Sequence, residues 1–106
     1  MRRAICPRYA NDVDVAARAD ELTARAHRLR RKGELRRACL AFREACALSE
    51  LDAARWLWLG DTLARMGKRD EAERAMKQAL YLRLQNAEKA KATVIRQLML
   101  KLGRAR

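Results

Sequence analysis

Residues 53–86 read AARWLWLGDTLARMGKRDEAERAMKQALYLRLQN. Gly67 divides this stretch into two apolar patterns. Before it, Trp56, Leu59, Gly60 and Leu63 recur at steps of three, one and three residues, along one helical face. After it, Ala72, Met76, Ala79 and Leu80 recur at steps of four, three and one, again along one helical face. The pattern has a copy 34 residues upstream, without a gap. Leu22 stands for Trp56, Ala26 for Gly60, Leu29 for Leu63 and Gly33 for Gly67. Ala38, Phe42, Ala45 and Leu48 stand for Ala72, Met76, Ala79 and Leu82. Self-similarity at this period marks a stacked-repeat architecture, in which one unit cannot bury its own apolar face.

Working outward, five helices are expected. The first begins near residue 12, with Asn11, Asp12 or Asp14 able to cap it, because each offers an oxygen to free N–H groups. Val15 and Ala19 prolong its stripe backwards, and Arg30, Arg31 and Lys32 suit the negative end of its dipole. Gly33 ends it, and a second helix runs from about Glu34 to Leu48 with Leu35, Ala38, Cys39, Phe42, Ala45 and Cys46 facing inward. Asp52 or Ser49 caps the third helix, about 53–66, and Asp70 caps the fourth, about 70–84. Asn86 caps a fifth, about 86–102, whose stripe is Val94, Ile95, Leu98, Met99 and Leu102. Gly103 stops it. A basic tail over 1–11 and another over 103–106 flank a single domain over 12–102, with repeats at about 19–52 and 53–86.

Composition agrees with an all-α chain. Ala (21), Arg (19) and Leu (15) supply over half of the 106 residues, and all three favour helix. One Pro and four Gly exclude a turn-rich sandwich. The formal charge is +12, set by 25 Lys+Arg against 13 Asp+Glu. A field of that sign attracts nucleic acid, anionic lipid or an acidic protein. Arg and Ala are also what a GC-rich bacterial genome supplies through its codons. No apolar run is long enough for a signal peptide or a membrane span. Cys39 and Cys46 lie two helical turns apart, about 10.5 Å at 1.5 Å per residue, beyond the reach of a disulfide. They are expected as buried small apolar residues, Cys6 as a free thiol, and the compartment as reducing cytoplasm.

The second copy resembles the tetratricopeptide repeat. It carries Trp56, Leu59-Gly60, Leu63, Gly67, Ala72, Met76 and Ala79 at that family's positions. The first copy keeps Gly33, Ala38, Phe42 and Ala45, with Leu22 for the Trp and Ala26 for the Gly. Glu50 and Leu84 stand where the family has a closing Pro. The resemblance implies an α-solenoid of five antiparallel helices, two repeats plus a capping helix. It also implies a non-catalytic adaptor that holds a peptide or an amphipathic or acidic helix in a concave groove. By position, that groove would include His27, Arg30 and Arg31, then Leu57, Trp58, Asp61 and Arg65, then Lys91 and Ile95. Asp20, Thr23 and Glu88 join them by the same rule. Thr23, His27 and Trp58 depart from the clamp by which some members grip terminal carboxylates, which argues against that style of binding.

Trp58 is the most informative of these. It sits about 200° around the helix from the core Trp56. It either packs between stacked repeats or stands as an exposed anchor, the profile of an interface hot spot. No nucleophile, metal-spaced cluster or phosphate loop accompanies the sole histidine, so neither catalysis nor a cofactor is expected. The alternative is nucleic-acid binding. Arg28, Arg30, Arg31, Lys32, Arg36 and Arg37 crowd one turn, and Lys89, Lys91, Arg96, Lys101, Arg104 and Arg106 line the last helix and tail. Scarce aromatics weigh against it. A homodimer seam through Leu84 and Leu100 is compatible with either reading.

Overall fold

The computed structural model describes residues 6–86 and 88–104. Five helices follow one another: α1 (Cys6–Arg31), α2 (Leu35–Leu48), α3 (Ala53–Arg65), α4 (Arg69–Gln85) and α5 (Lys89–Arg104). Each packs on its neighbours in sequence, giving a helical repeat solenoid.

The repeat is visible in the backbone hydrogen bonds. Both hairpins turn on a glycine at positive φ, Gly33 at 82° and Gly67 at 81°, where a side chain would be strained. Around the first, Glu34 N–H donates to the Leu29 carbonyl at 2.9 Å and Gly33 N–H to that of Arg30 at 3.0 Å. Around the second, Lys68 N–H donates to Leu63 at 2.9 Å and Gly67 N–H to Ala64 at 3.0 Å. This is the same helix-ending motif at the same offset.

Asp52 caps α3 as expected, its carboxylate accepting from Ala54 N–H at 3.1 Å and Arg55 N–H at 3.4 Å. Four boundaries differ. Helix α1 already includes Asn11, Asp12 and Asp14, so none of them caps it. Pro7, in the first turn, needs no hydrogen-bond acceptor there and is compatible with this earlier start. Helix α4 starts from Lys68, because the glycine turn leads straight into it. Asp70 therefore falls in the first turn, where its charge meets the helix dipole. Asn86 closes α4 instead of opening α5. Gly103 lies within α5, without the positive φ of Gly33 and Gly67. Residues 1–5 and 105–106 of the expected tails, and the side chain of Cys6, lie outside the described residues.

Apart from the exposed turn glycines Gly33 and Gly67 and the half-buried Leu48, Trp56 and Leu80, the expected repeat positions are buried. One cluster includes Ala26, Leu29, Ala38, Phe42, Leu63 and Ala72, drawn from the first four helices. A second joins Ala53, Met76, Ala79, Leu82 and Ile95 and holds α5 to α4. Trp56 packs against both, and its indole N–H donates to the Glu50 carbonyl at 2.8 Å. Cys39 and Cys46 are buried free thiols. Val94 is a correction to the expected stripe: it is 57% exposed. It neighbours Ile95 about 100° around the helix, and only one of the two can face α4.

Gly60 marks the closest approach of α3 to α4. A Cβ there would stand 2.8 Å from Met76 Cγ and 3.2 Å from the Ala72 carbonyl oxygen. Gly103 has nothing within 4 Å of such an atom. The same substitution should therefore have opposite signs. Gly103→Ala gains up to about 1 kcal/mol of helix propensity. Gly60→Ala sets that gain against overpacking of about 1–3 kcal/mol and should lower stability. Urea denaturation of the two variants checks both signs.

Candidate functional site

The first helix of each pair contributes to one face, and Trp58 lies where α1 and α3 meet on it. Its backbone is fixed from beneath: the fully buried Thr62 donates its hydroxyl to the Trp58 carbonyl at 2.9 Å. The indole is tied sideways to α1. The His27 ring meets it edge-on at 4.7 Å between centroids, and the Arg30 guanidinium lies over it at 4.8 Å. His27 in turn packs edge-on at 5.1 Å against Phe42 of the core. Trp58 nevertheless stays 38% exposed. The two roles open to it in the sequence are thus combined: one side packs on α1, the other faces solvent.

Charge completes the cluster. Asp61 accepts from Arg30 Nη2 of α1 and pairs at 3.2 Å with Arg65 Nε, one turn along α3. Arg30 is largely enclosed, and its Nε has no hydrogen-bond partner among the described residues. An enclosed N–H of this kind costs about 1–3 kcal/mol. A parallel tie joins the same two helices: Arg55 Nη2 donates to Asp20 and Nη1 stands 3.6 Å from the capping Asp52. Sequence reasoning missed Arg55 as a groove-shaping residue. Its spacing of three from the cap Asp52 was the available signal.

His27, Arg30, Trp58, Asp61 and Arg65 are therefore one connected cluster. Arg31 is exposed beside it and close enough to act on the charge of His27. Leu57 is half-buried against the second core cluster. Lys91 is exposed but bound at 3.1 Å to Glu88, with no contact linking it to Trp58. Ile95 is a correction: it is 1% exposed and belongs to the core, so it offers no free surface. Helix α5 needs its best-packed side chain to stay attached to α4.

A separate cleft of about 420 Å³ opens between α2 and α4, floored by Trp56, Leu59 and Leu63. Arg43 and Glu71 pair across its mouth. Cys46 lines it, but burial pushes its thiol up to about 12, so it stays protonated and is a poor nucleophile. No group of three or more His, Cys, Asp or Glu among the described residues could hold a metal ion. No helix there is long and apolar enough to cross a membrane.

A helical-repeat scaffold with an exposed, braced aromatic on one face is the class this geometry defines. Residues 53–86, the α3–α4 pair, match the family model of the tetratricopeptide repeat. No curated protein matches the chain. Tetratricopeptide repeats generally mediate protein–protein contacts and are typically non-catalytic, which suggests an adaptor role here.

His27 gives the site a pH signature. Burial first, then the charges of Arg30 and Arg31, lower its pKa below 6.5. The unfolded chain therefore takes up this proton before the folded one. The stability His27 contributes as a neutral ring is complete above about pH 6.5 and is lost as pH falls through the folded value. Glu71 and Glu88 are also lowered, chiefly by hydrogen bonds from Arg43 and from Lys91 with Arg83, but they titrate below their ordinary 4.5. Melting temperature should thus fall between pH 7 and pH 5, and fall less in His27→Gln.

Proposed function

We propose that the chain is a non-catalytic adaptor that holds a peptide or an amphipathic, acidic helix across the α1–α3 face. The observation that carries this reading is Trp58, half-exposed yet immobilised by His27 and Arg30. A rigid aromatic offers contact area with little further entropy to lose on binding. Arg31 and Arg65 bring positive charge to this cluster, while Asp61 is paired with Arg30 and Arg65. An apolar residue of the partner would meet Trp58 and Leu57, and its carboxylates would meet the rim. The setting we infer is the reducing cytoplasm of a bacterium, consistent with two buried free thiols.

Two observations keep further partners in the same test. Arg28, Arg31, Lys32 and Arg36 form no ion pair with a described residue, which favours phosphate contacts at the α1–α2 turn as the second reading. Leu84 and Leu100 are exposed and would serve a second copy of the chain.

Capture of partners from native lysate, with and without nuclease, separates these. The expected result is a discrete protein that survives nuclease and is lost with Trp58→Ala, while circular dichroism of the variant is unchanged. Capture that vanishes with nuclease would move the function to the basic turn. Capture indifferent to Trp58 would remove the groove from the account.

A further inference from the structure

The outer face of the first helical pair carries a second, independent surface. Two adjoining clefts lie there, of about 160 and 390 Å³, sharing Leu22 and Arg25. The smaller is lined by α1 and α2 and the larger by α1 alone, and no residue of α3, α4 or α5 lines either. A face of a helical-repeat stack that carries no further helix is ordinarily polar. Here its centre is apolar. Leu40 is 62% exposed, between the seam residues Leu22, Leu29 and Ala41.

Charge surrounds that seam with one dominant sign. Arg18, Arg25, Arg28 and Arg37 line the clefts, against Glu21 and Glu44. Arg18 faces Glu44 at 4.0 Å, and Arg37 holds Glu34 at 2.7 Å. Arg25 and Arg28 form no ion pair with a described residue. Arg18, Arg25 and Arg28 stand seven and three residues apart on α1, so these cations share one face of the helix.

We infer that this face docks an amphipathic helix of a partner protein that carries leucine-like residues at i, i+3, i+4 and i+7 flanked by carboxylates. The apolar side chains enter the α1–α2 seam over Leu40, and the carboxylates meet Arg25 and Arg28. This helix-in-groove mode needs exposed apolar surface bordered by charge; Leu40 supplies the first, and Arg25 and Arg28 the second. Phosphate backbone would use the arginines but gain nothing from an exposed leucine in their midst. The inference does not rest on the groove at Trp58, because no residue of that cluster lines either cleft.

The test uses the full chain carrying Trp58→Ala, so that the α1–α3 groove contributes nothing. The probe is a fluorescein-labelled peptide with leucines at the four stated positions and glutamates elsewhere, followed by anisotropy. Binding is expected, weakened at least about tenfold by Leu40→Ala and by the paired Arg25→Glu, Arg28→Glu change. A peptide with glutamines in place of glutamates should bind more weakly. Leu40 is exposed, so Leu40→Ala leaves the core intact, and circular dichroism verifies this. No binding in this background overturns the inference. So does binding indifferent to Leu40→Ala, or equalled by leucine-free polyglutamate or duplex DNA, since charge alone would then account for it. The groove reading is judged separately, by comparing native chain with Trp58→Ala.

Discussion

The close approach of α3 to α4 at Gly60 is the constraint on which the rest of the molecule depends. A glycine facing the Ala72 carbonyl and Met76 lets the two backbones come nearer than any side chain would allow. Once they do, Trp56 is driven into the seam between the two core clusters. Helical geometry then forces Trp58, two residues on, out of that seam. The position of this half-exposed aromatic is thus a consequence of a packing requirement on the other side of the same helix. Ala26 occupies the corresponding place in the first pair and is fully buried.

Cross-helix ties do the remaining positioning, and they are mostly arginine. Arg30 spans from α1 to Asp61, Arg55 from α3 to Asp20, and Arg43 from α2 to Glu71. Arginine suits this because its rigid guanidinium can meet a carboxylate and an aromatic face together. Part of the chain's large positive charge is therefore structural. Exposed pairs of this kind add little stability each. Those involving Arg30 and Arg55, whose side chains are largely enclosed, fix how α1 and α3 lie against each other.

What could be seen in the sequence was what repeats locally. Ala26, Gly33, Ala38, Phe42 and their counterparts 34 residues on were legible because size and spacing are conserved within the chain itself. The cap at Asp52 was legible for the same reason, being a contact between near neighbours. The α5 stripe was only half legible: Val94 and Ile95 are adjacent, equally apolar, and distinguished only by where α4 lies. The start of α1 was missed, because polar residues near 12 look like caps whether or not the helix has already begun. At the site, Trp58 could be singled out by its angle from Trp56. Its contact with His27, and that of His27 with Phe42, join residues on three helices and leave no periodic trace.

Packing chiefly between sequence neighbours also has a kinetic side. Such a stack is a one-dimensional array, and its resistance to opening is graded along its length. Helix α5 buries only Ala92 and Ile95 fully, fewer residues than any of α2, α3 and α4. Its amides should exchange with solvent far sooner than those of α2 and α3, which are covered on both sides. Each such opening uncovers Met76 and Leu82, so the moment at which the last helix lifts is also when the molecule is stickiest.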